Sequence, residues 1–338
     1  MKGVCPVRPE NTFMLQAEPI SAVQPLPLSR GLVWLSTALA VLTFVLIGLG
    51  GLVNSTGSGL SVPDWPTTYG RHLLLYPISE WRGGILYEHT HRLVAALVGF
   101  LSFVQVLWIW LAVRQEHYLW LRAVSLIAFL LVVVQGALGG LTVLLRLPTA
   151  VSAAHAMVAQ TFFALTLWLA LGSRESWYQL PRISPAVLNG QYRFAVVVSA
   201  VTFFQILFGA LTRHTYSALA IPDFPLVFGG LFPPSTALNT QVLLHYIHRV
   251  LGFVLVGLMV WQGWRLWRSI ADLRWWGGAG AIVAVGQILL GGWVVWSVRS
   301  VLPTTFHGIV GTALWAVNVA IMLQLWRWRC LIQRAPLA

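Results

Sequence analysis

The feature that most constrains this chain is a series of eight mostly apolar stretches of ~20 residues each. A stretch of that length crosses the ~30 Å hydrocarbon core of a bilayer as one α-helix. Lipid offers the backbone no hydrogen-bond partner, so each stretch is expected to be helical. The predicted spans are 31–53, 88–113, 120–145, 149–171, 194–212, 242–264, 277–298 and 303–326. The sequence therefore predicts an all-α polytopic membrane protein surrounded by membrane lipid.

The charge of the chain fits the same interpretation. Charged residues make up 9% of the sequence, whereas soluble domains carry about 25%. The net charge of +12 does not predict a nucleic-acid partner, because the basic residues concentrate in alternate connections and form no basic stripe. We therefore expect no nucleic acid among the partners.

The distribution of Lys and Arg predicts the orientation of the helices. Fourteen of the 21 lie in the two tails and in the second, fourth and sixth connections. By the positive-inside rule this side is cytoplasmic. The prediction is a multi-pass protein of the cell inner (cytoplasmic) membrane, with cytoplasmic tails at 1–30 and 329–338 and long outer loops at 54–87 and 213–241.

An internal repeat divides the eight spans into two sets of four. The repeated segments are 135–140 with 287–292, 91–92 with 248–249, 147–149 with 302–304, and 63–66 with 222–225. They recur in the same order, which chance rarely produces. We predict two tandem pseudo-symmetric four-helix bundles at 31–172 and 194–328, joined by a cytoplasmic linker at 173–193.

Four histidines occupy repeat-matched positions: His91, His155, His248 and His307. They fall on the even-numbered spans, near the start of each, and so at similar depth. Two imidazoles from neighbouring helices suit axial ligation of a heme iron. The natural pairs join the first two and the last two of these histidines.

Two further features surround these histidines. Arg92 and Arg249 follow the first histidine of each pair, where a guanidinium can reach the heme propionates. The alternative is that the histidines only form hydrogen bonds between helices, but four in a duplicated pattern favour a functional site. Other metals are disfavoured because the carboxylates and thiolates that they prefer are not gathered there.

One carboxylate breaks the symmetry of the repeat. Glu88 precedes His91 by three residues and so shares its helix face, whereas the matching residue in the second half is His245. A structural role for Glu88 is one interpretation. The other is catalysis, because a carboxylate beside a reactive centre carries protons or stabilises positive charge.

Two segments of the sequence resemble the heme A synthase family. Residues 50–66 (GGLVNSTGSGLSVPDWP) resemble its motif after the first span, and Glu88-His89-Thr90-His91-Arg92 resembles its E-x-x-H-R element. The resemblance covers about residues 31–328.

The resemblance implies an activity and a set of sites. That family oxidises a ring methyl of heme O to a formyl group by successive hydroxylations, which makes heme A for cytochrome oxidase. Glu88, His91 and His155 would serve the substrate heme O, and His248 and His307 would hold heme b. An electron donor is also implied, and heme O synthase or oxidase assembly factors are the partners that the resemblance suggests.

The chain departs from the family pattern in its first outer loop. Many members carry a pair of cysteines there, at the positions of Val62 and Thr68. A loop disulfide therefore cannot take part in the reaction of this chain. Some members have Arg at the position of Asn54.

Two other functions are compatible with the same spans. A di-heme b-type cytochrome that takes electrons from quinol would need the same histidines, and Glu88 favours the enzyme over it. A transporter is the third candidate, but its repeats are often inverted and its helices broken at mid-membrane, whereas these units are parallel and their spans continuous.

Overall fold

Eight long helices form the body of the protein. The computed structural model describes residues 28–179, 181 and 183–334. The helices are α1 (Arg30–Ser55), α2 (Gly84–Ala112), α3 (Trp120–Leu144), α4 (Thr149–Gly172), α5 (Pro185–His214), α6 (Thr240–Ser269), α7 (Arg274–Trp296) and α8 (Val301–Arg334). Each is long and apolar enough to cross a membrane. The predicted all-α polytopic fold is confirmed, while the predicted tail at 1–30 lies almost wholly outside the described residues.

Several helices are longer than their apolar stretches, and α5 and α8 exceed them most. Helix α5 begins at Pro185, not at 194, because Ser184 caps it by accepting a hydrogen bond from the Val187 N–H and proline suits a first helical position. Helix α8 continues to Arg334, beyond the predicted end at 326. Hydropathy reports the membrane-buried part of a helix, so polar extensions outside the lipid escape it.

The helices pack in two closed sets. In the first, α1 contacts α2 and α4, and α3 contacts the same two; α5 to α8 repeat this arrangement. The sets meet through α1 with α8, α4 with α5, and α4 with α8. At the last contact the Gln160 side-chain amide donates to Thr312 Oγ1 at 3.0 Å. The inner faces of α1, α4, α5 and α8 are therefore shared between the sets.

The largest buried apolar cluster of each set lies toward one end. In the first set it is built from the start of α1 (Leu32), the end of α2 (Ile109), the start of α3 (Leu121) and the end of α4 (Leu169). The second set uses the matching end, with Leu188, Leu266 and Leu325 among its members. The opposite end of each set, where the even-numbered helices begin, carries the four histidines.

Two matched loops cover the histidine end. In the connection from α1 to α2, Asp64 accepts hydrogen bonds from the N–H groups of Tyr69 and Gly70, both at 2.8 Å. Asp223 does the same between α5 and α6, with Phe228 at 2.8 Å and Gly229 at 2.7 Å. Tyr69 and Phe228 both adopt left-handed backbone, at φ 50° and 53°. The two loops therefore share one turn.

Each loop docks on its helices through an aromatic ring. Trp65 lies so close to Gly140 of α3 that a Cβ there would come within 2.5 Å of the ring, and Phe224 meets Gly292 of α7 at 2.7 Å. Any larger residue at either glycine would displace the ring. These glycines let the loops close over the histidines.

Candidate functional site

Each of the four histidines packs against a glycine on a neighbouring helix. A Cβ on any of these glycines would lie 3.1 Å from the imidazole. The pairs are His91 with Gly50, His155 with Gly139, His248 with Gly209, and His307 with Gly291. The glycines lie on the odd-numbered helices, so every even helix places its histidine against an odd one. All four rings are positioned by the same close approach.

Glutamine side chains connect three of the histidines to adjacent helices. Gln135 donates to the carbonyl of His155 at 3.0 Å, and Gln287 donates to that of His307 at 2.8 Å. Gln205 donates to the carbonyl of His248 at 3.0 Å. The matching position beside His91 is a leucine. These bonds fix the turn of helix that carries each ring, and the first histidine lacks one.

The second histidine pair has the spacing of opposed axial ligands. The ring centroids of His248 and His307 lie 6.2 Å apart, with the planes at 77°. A metal–imidazole bond is ~2.0 Å, so two rings on opposite sides of one metal ion have centroids about 6 Å apart. Nδ1 of His307 is buried and has no hydrogen-bond partner among the described residues. The pair fits a heme iron between its rings.

The first pair shares these features in part. His91 and His155 are electrostatic neighbours, and Nδ1 of His155 is likewise buried without a partner in the described part of the chain. Both residues are half-buried. Among the described residues, the first pair therefore shares the partnerless imidazole nitrogen of the second pair.

Glu88 is buried and bonded through both carboxylate oxygens. Its exposed fraction is 4%, Oε1 lies 2.6 Å from Arg92 Nη2, and Oε2 accepts from the N–H of Val62 at 2.8 Å. It stands one turn before His91 on α2. The carboxylate is therefore held in one orientation, between the outer loop and the first histidine.

Arg92 and Arg249 bind the backbone of the outer loops. Each donates to three loop carbonyls at 2.7–3.0 Å, which belong to Val62, Asp64 and Thr67 for Arg92 and to Ile221, Asp223 and Leu226 for Arg249. A fourth bond goes to Glu88 from Arg92 and to His245 from Arg249. Arginine has five N–H donors, so one remains on each for any further ligand. Propionate binding by these two arginines stays a prediction.

His245 occupies the place of Glu88 in the second set. Its Nε2 lies 3.1 Å from Arg249 Nε, and its Nδ1 lies 3.3 Å from the N–H of Ile221. Both neighbours are donors, but a neutral imidazole accepts only one hydrogen bond. A carboxylate accepts both, so the second set satisfies the same arginine less completely.

Sequence reasoning missed the role of His89. This residue is fully buried, 3.1 Å from Thr68 Oγ1, and its ring packs on Tyr76 and Trp81 at centroid distances of 5.1 and 4.8 Å. Val62 and Thr68, where many family members have cysteines, are both fully buried. Hydrogen bonding and packing therefore hold the first loop without a bridge between these positions.

The fold defines a polytopic, all-α integral membrane protein. The family model described as cytochrome oxidase assembly protein (COX15-CtaA) matches residues 33–319, and the chain belongs to this family. Its matched segment contains every candidate site residue named above.

Three relatives are called heme A synthase. The protein of Alkalihalophilus pseudofirmus is 28% identical over 81% of this chain and 90% of its own length. That of Sphingopyxis alaskensis is 29% identical over 91% and 95%, and that of Symbiobacterium thermophilum is 29% identical over 84% and 91%. Since almost the whole of each relative is covered, the similarity extends across both sets of helices.

Proposed function

We propose that this chain is a heme A synthase, an oxidoreductase that converts the ring methyl of heme O to the formyl group of heme A. The observation that carries the proposal is the family match over residues 33–319, which includes both histidine pairs and Glu88. The membrane setting suits a hydrophobic porphyrin substrate. Heme O synthase and oxidase assembly factors are the partners we propose.

We propose that the two histidine pairs hold different hemes. His248 and His307 would hold heme b, which the 6.2 Å separation of their rings supports. His91 and His155 would hold the heme O substrate. A bound heme supplies a redox-active iron for electron transfer and oxygen chemistry.

Glu88 is the residue that we propose for catalysis in the first unit. Its carboxylate stands one helical turn from His91 and is oriented by Arg92 at 2.6 Å and the Val62 N–H at 2.8 Å. Burial disfavours the ionised carboxylate, and the Arg92 guanidinium opposes that effect. An oriented anion beside the substrate stabilises positive charge that develops there and accepts the proton released.

The two helix sets are proposed to be tandem units related by a pseudo-two-fold axis. Gln160 and Thr312 are matched positions of the repeat and contact each other across the boundary. Contact between equivalent positions is typical of a two-fold interface. In this arrangement both termini are cytoplasmic in the cell membrane, and the histidines lie toward the outer face.

A di-heme b-type cytochrome is the second candidate. The equal glycine contacts of all four histidines, each at 3.1 Å, favour two similar heme sites. Such a protein would transfer electrons from quinol and leave the porphyrin unchanged. The buried Glu88–Arg92 pair in one unit alone favours the enzyme, because electron transfer needs no such asymmetry.

The function is tested by expressing the chain with a source of heme O and analysing the extracted hemes by mass. We expect heme A or its hydroxylated precursor with the wild-type chain. In Glu88→Gln we expect this product to fall by a factor of about 10² or more, because a positioned proton carrier contributes 10²–10⁴.

The matched control is His245→Gln, which changes the equivalent turn of the other unit and should keep the product. The spectrum of the heme held by His248 and His307 reports folding in both variants. A wild-type chain that binds heme but leaves heme O unchanged would favour the cytochrome. Full product formation by Glu88→Gln would remove the carboxylate from the reaction.

A further inference from the structure

Arg213 is a charged residue that, unlike Arg92 and Arg249, does not bind the backbone of an outer loop in the contacts described above. It lies in the last turn of α5 and is half-buried. Its guanidinium makes one hydrogen bond within the described residues, a long one of 3.4 Å to the carbonyl of Thr304. The ion pairs of the described chain are Arg71–Glu80 and Glu88–Arg92, so no carboxylate balances it there. A sheltered charge normally has a counter-ion.

The guanidinium of Arg213 lies where the two units meet. A Cβ on Gly51 of α1 would be 3.9 Å from Nη1, and a Cβ on Gly308 of α8 would be 3.5 Å from Nη2. Both glycines therefore border the group without closing over it. Helix α8 also carries His307, one residue before Gly308, and Arg213 acts on it electrostatically.

A second cation lies at the same end of the helices. Arg299 is in the turn between α7 and α8, which leads into the helix that carries His307 and Gly308. Its charge has the same sign as that of Arg213 and acts on it. Arg299 is also half-buried, and its backbone is left-handed at φ 62°. Like charges that act on each other in a sheltered region repel, and an anion near both relieves that repulsion. The arrangement therefore favours a bound anion.

The pair is confined to one unit. Counted from the helix ends, the first-unit residues equivalent to Arg213 and Arg299 are Asn54, one before the end of α1, and Leu147, three after the end of α3. Both are uncharged, although the sequence motif at 147–149 resembles 302–304. The loop arginines Arg92 and Arg249, by contrast, occur in both units. The cation pair is thus a feature of the site formed by His248 and His307.

We propose that Arg213 and Arg299 bind the two propionate carboxylates of the heme held by His248 and His307. This inference rests on the proposed heme site of the second unit. Guanidinium groups bind carboxylates through paired N–H donors, and one heme edge presents two carboxylates to two arginines. Both arginines lie at the end of the helices where the histidines are. Arg249, with four of its five donors engaged, is left as the anchor of the loop.

The alternative is that Arg213 only stabilises the carboxyl end of α5 through the helix dipole. A redox measurement separates the two roles. A cation at the propionates favours the reduced iron, so Arg213→Gln and Arg299→Gln should each lower the midpoint potential of this heme. A tenfold change in the preference for reduction corresponds to a fall of 59 mV for one electron.

The experiment is a potentiometric titration of the full-length chain, purified from cells that lack heme O. Arg213→Lys keeps the charge and should restore most of the potential, and Arg146→Gln is the control, because it removes an exposed cation from the matching turn between α3 and α4. Unchanged potentials in both glutamine variants, with heme retained, would overturn the proposal.

A second measurement covers variants that lose heme during purification. The heme-free protein is reconstituted with heme or with heme dimethyl ester, whose propionate carboxylates are blocked, and the affinities for the two are compared. We expect the wild type to prefer the free acid about tenfold, as charge-assisted bonds imply, and Arg213→Gln to lose that preference. An equal preference in both proteins contradicts the proposal. A wild-type chain that takes up no heme would instead refute the proposed function, and this inference with it.

Discussion

The two halves of the molecule keep the same framework and differ at the residues around it. In both, a Cβ on the facing glycine would lie 3.1 Å from each histidine ring, and both fix an outer loop with an arginine and a matching turn. The differences near the histidines include Glu88 for His245, Leu46 for Gln205, Asn54 for Arg213 and Leu147 for Arg299. The framework is a holder for two similar ligands, and the substitutions make the two sites chemically unequal.

The direction of these differences is informative. The first unit has the buried carboxylate and lacks one glutamine bond to a histidine. The second unit has that bond, through Gln205, and two additional cations. A site that must bind and release a substrate benefits from fewer fixed contacts, whereas a resident cofactor benefits from more. The asymmetry therefore agrees with substrate in the first unit and cofactor in the second.

The largest effect is expected from removing the loop arginines. Arg92→Ala leaves the buried carboxylate of Glu88 without its partner, which should cost about 3–5 kcal/mol of unfolding free energy. Arg249→Ala removes bonds to neutral groups only, so we expect about 1–3 kcal/mol. Thermal unfolding in detergent measures both.

A double variant sharpens the same comparison. Glu88→Ala combined with Arg92→Ala leaves no buried charge and should be less destabilised than the sum of the two single variants. The pair His245→Ala and Arg249→Ala should be closer to additive. Equal coupling in the two units would contradict the role given to the ion pair.

An intermediate effect is expected from making the second unit like the first. His245→Glu provides acceptors for both the Arg249 guanidinium and the N–H of Ile221, which an imidazole cannot serve together. We expect a gain of about 1 kcal/mol after the cost of burying the carboxylate. A raised thermal midpoint with unchanged heme content is the expected result, and a lowered midpoint would refute it.

The sequence was sufficient to predict the helices and the matched placement of the four histidines, whose ligation of heme stays a prediction. Spans follow from hydropathy, because lipid permits only one local structure. The histidines followed from the internal repeat, since matched positions imply matched geometry. The full lengths of α5 and α8 could not be predicted from the sequence, because the polar ends of these helices carry no hydropathy signal.

The partners of the arginines could not be predicted. Arg92 follows His91 along the chain, which suggested a carboxylate ligand, yet its donors reach carbonyls up to 30 residues away. Adjacency in sequence does not say which loop folds back on a helix. Arg213 was counted only as one of the cations of the outer side, and its position near His307 depends on the packing of α5 against α8. The internal repeat offered one signal that Arg213 has a special role, because the equivalent residue of the first unit is the uncharged Asn54.

The smallest effect is expected from the turns that the two loops share. Burial raises the pKa of Asp64, but hydrogen bonds from Gly70 and its neighbours outweigh it and hold that pKa below 3.8. The pKa of Asp223 is lowered in the same way: burial raises it, and hydrogen bonds from Gly229 and Phe228 outweigh that effect. Because the pKa of Asp64 is lower in the folded state, its ionised carboxylate stabilises the turn fully above pH 3.8. That stabilisation is lost as the pH falls through the folded pKa. Asp64→Asn keeps one acceptor without the charge, so it should cost about 1 kcal/mol at neutral pH and remove this acid dependence. Hydrogen exchange at Gly70 and Gly229, corrected for the intrinsic rate at each pH, measures it. Since both loops use the same turn, Asp64→Asn and Asp223→Asn should each affect only their own loop. A loss of protection in acid that persists in the mutated loop would count against the turn.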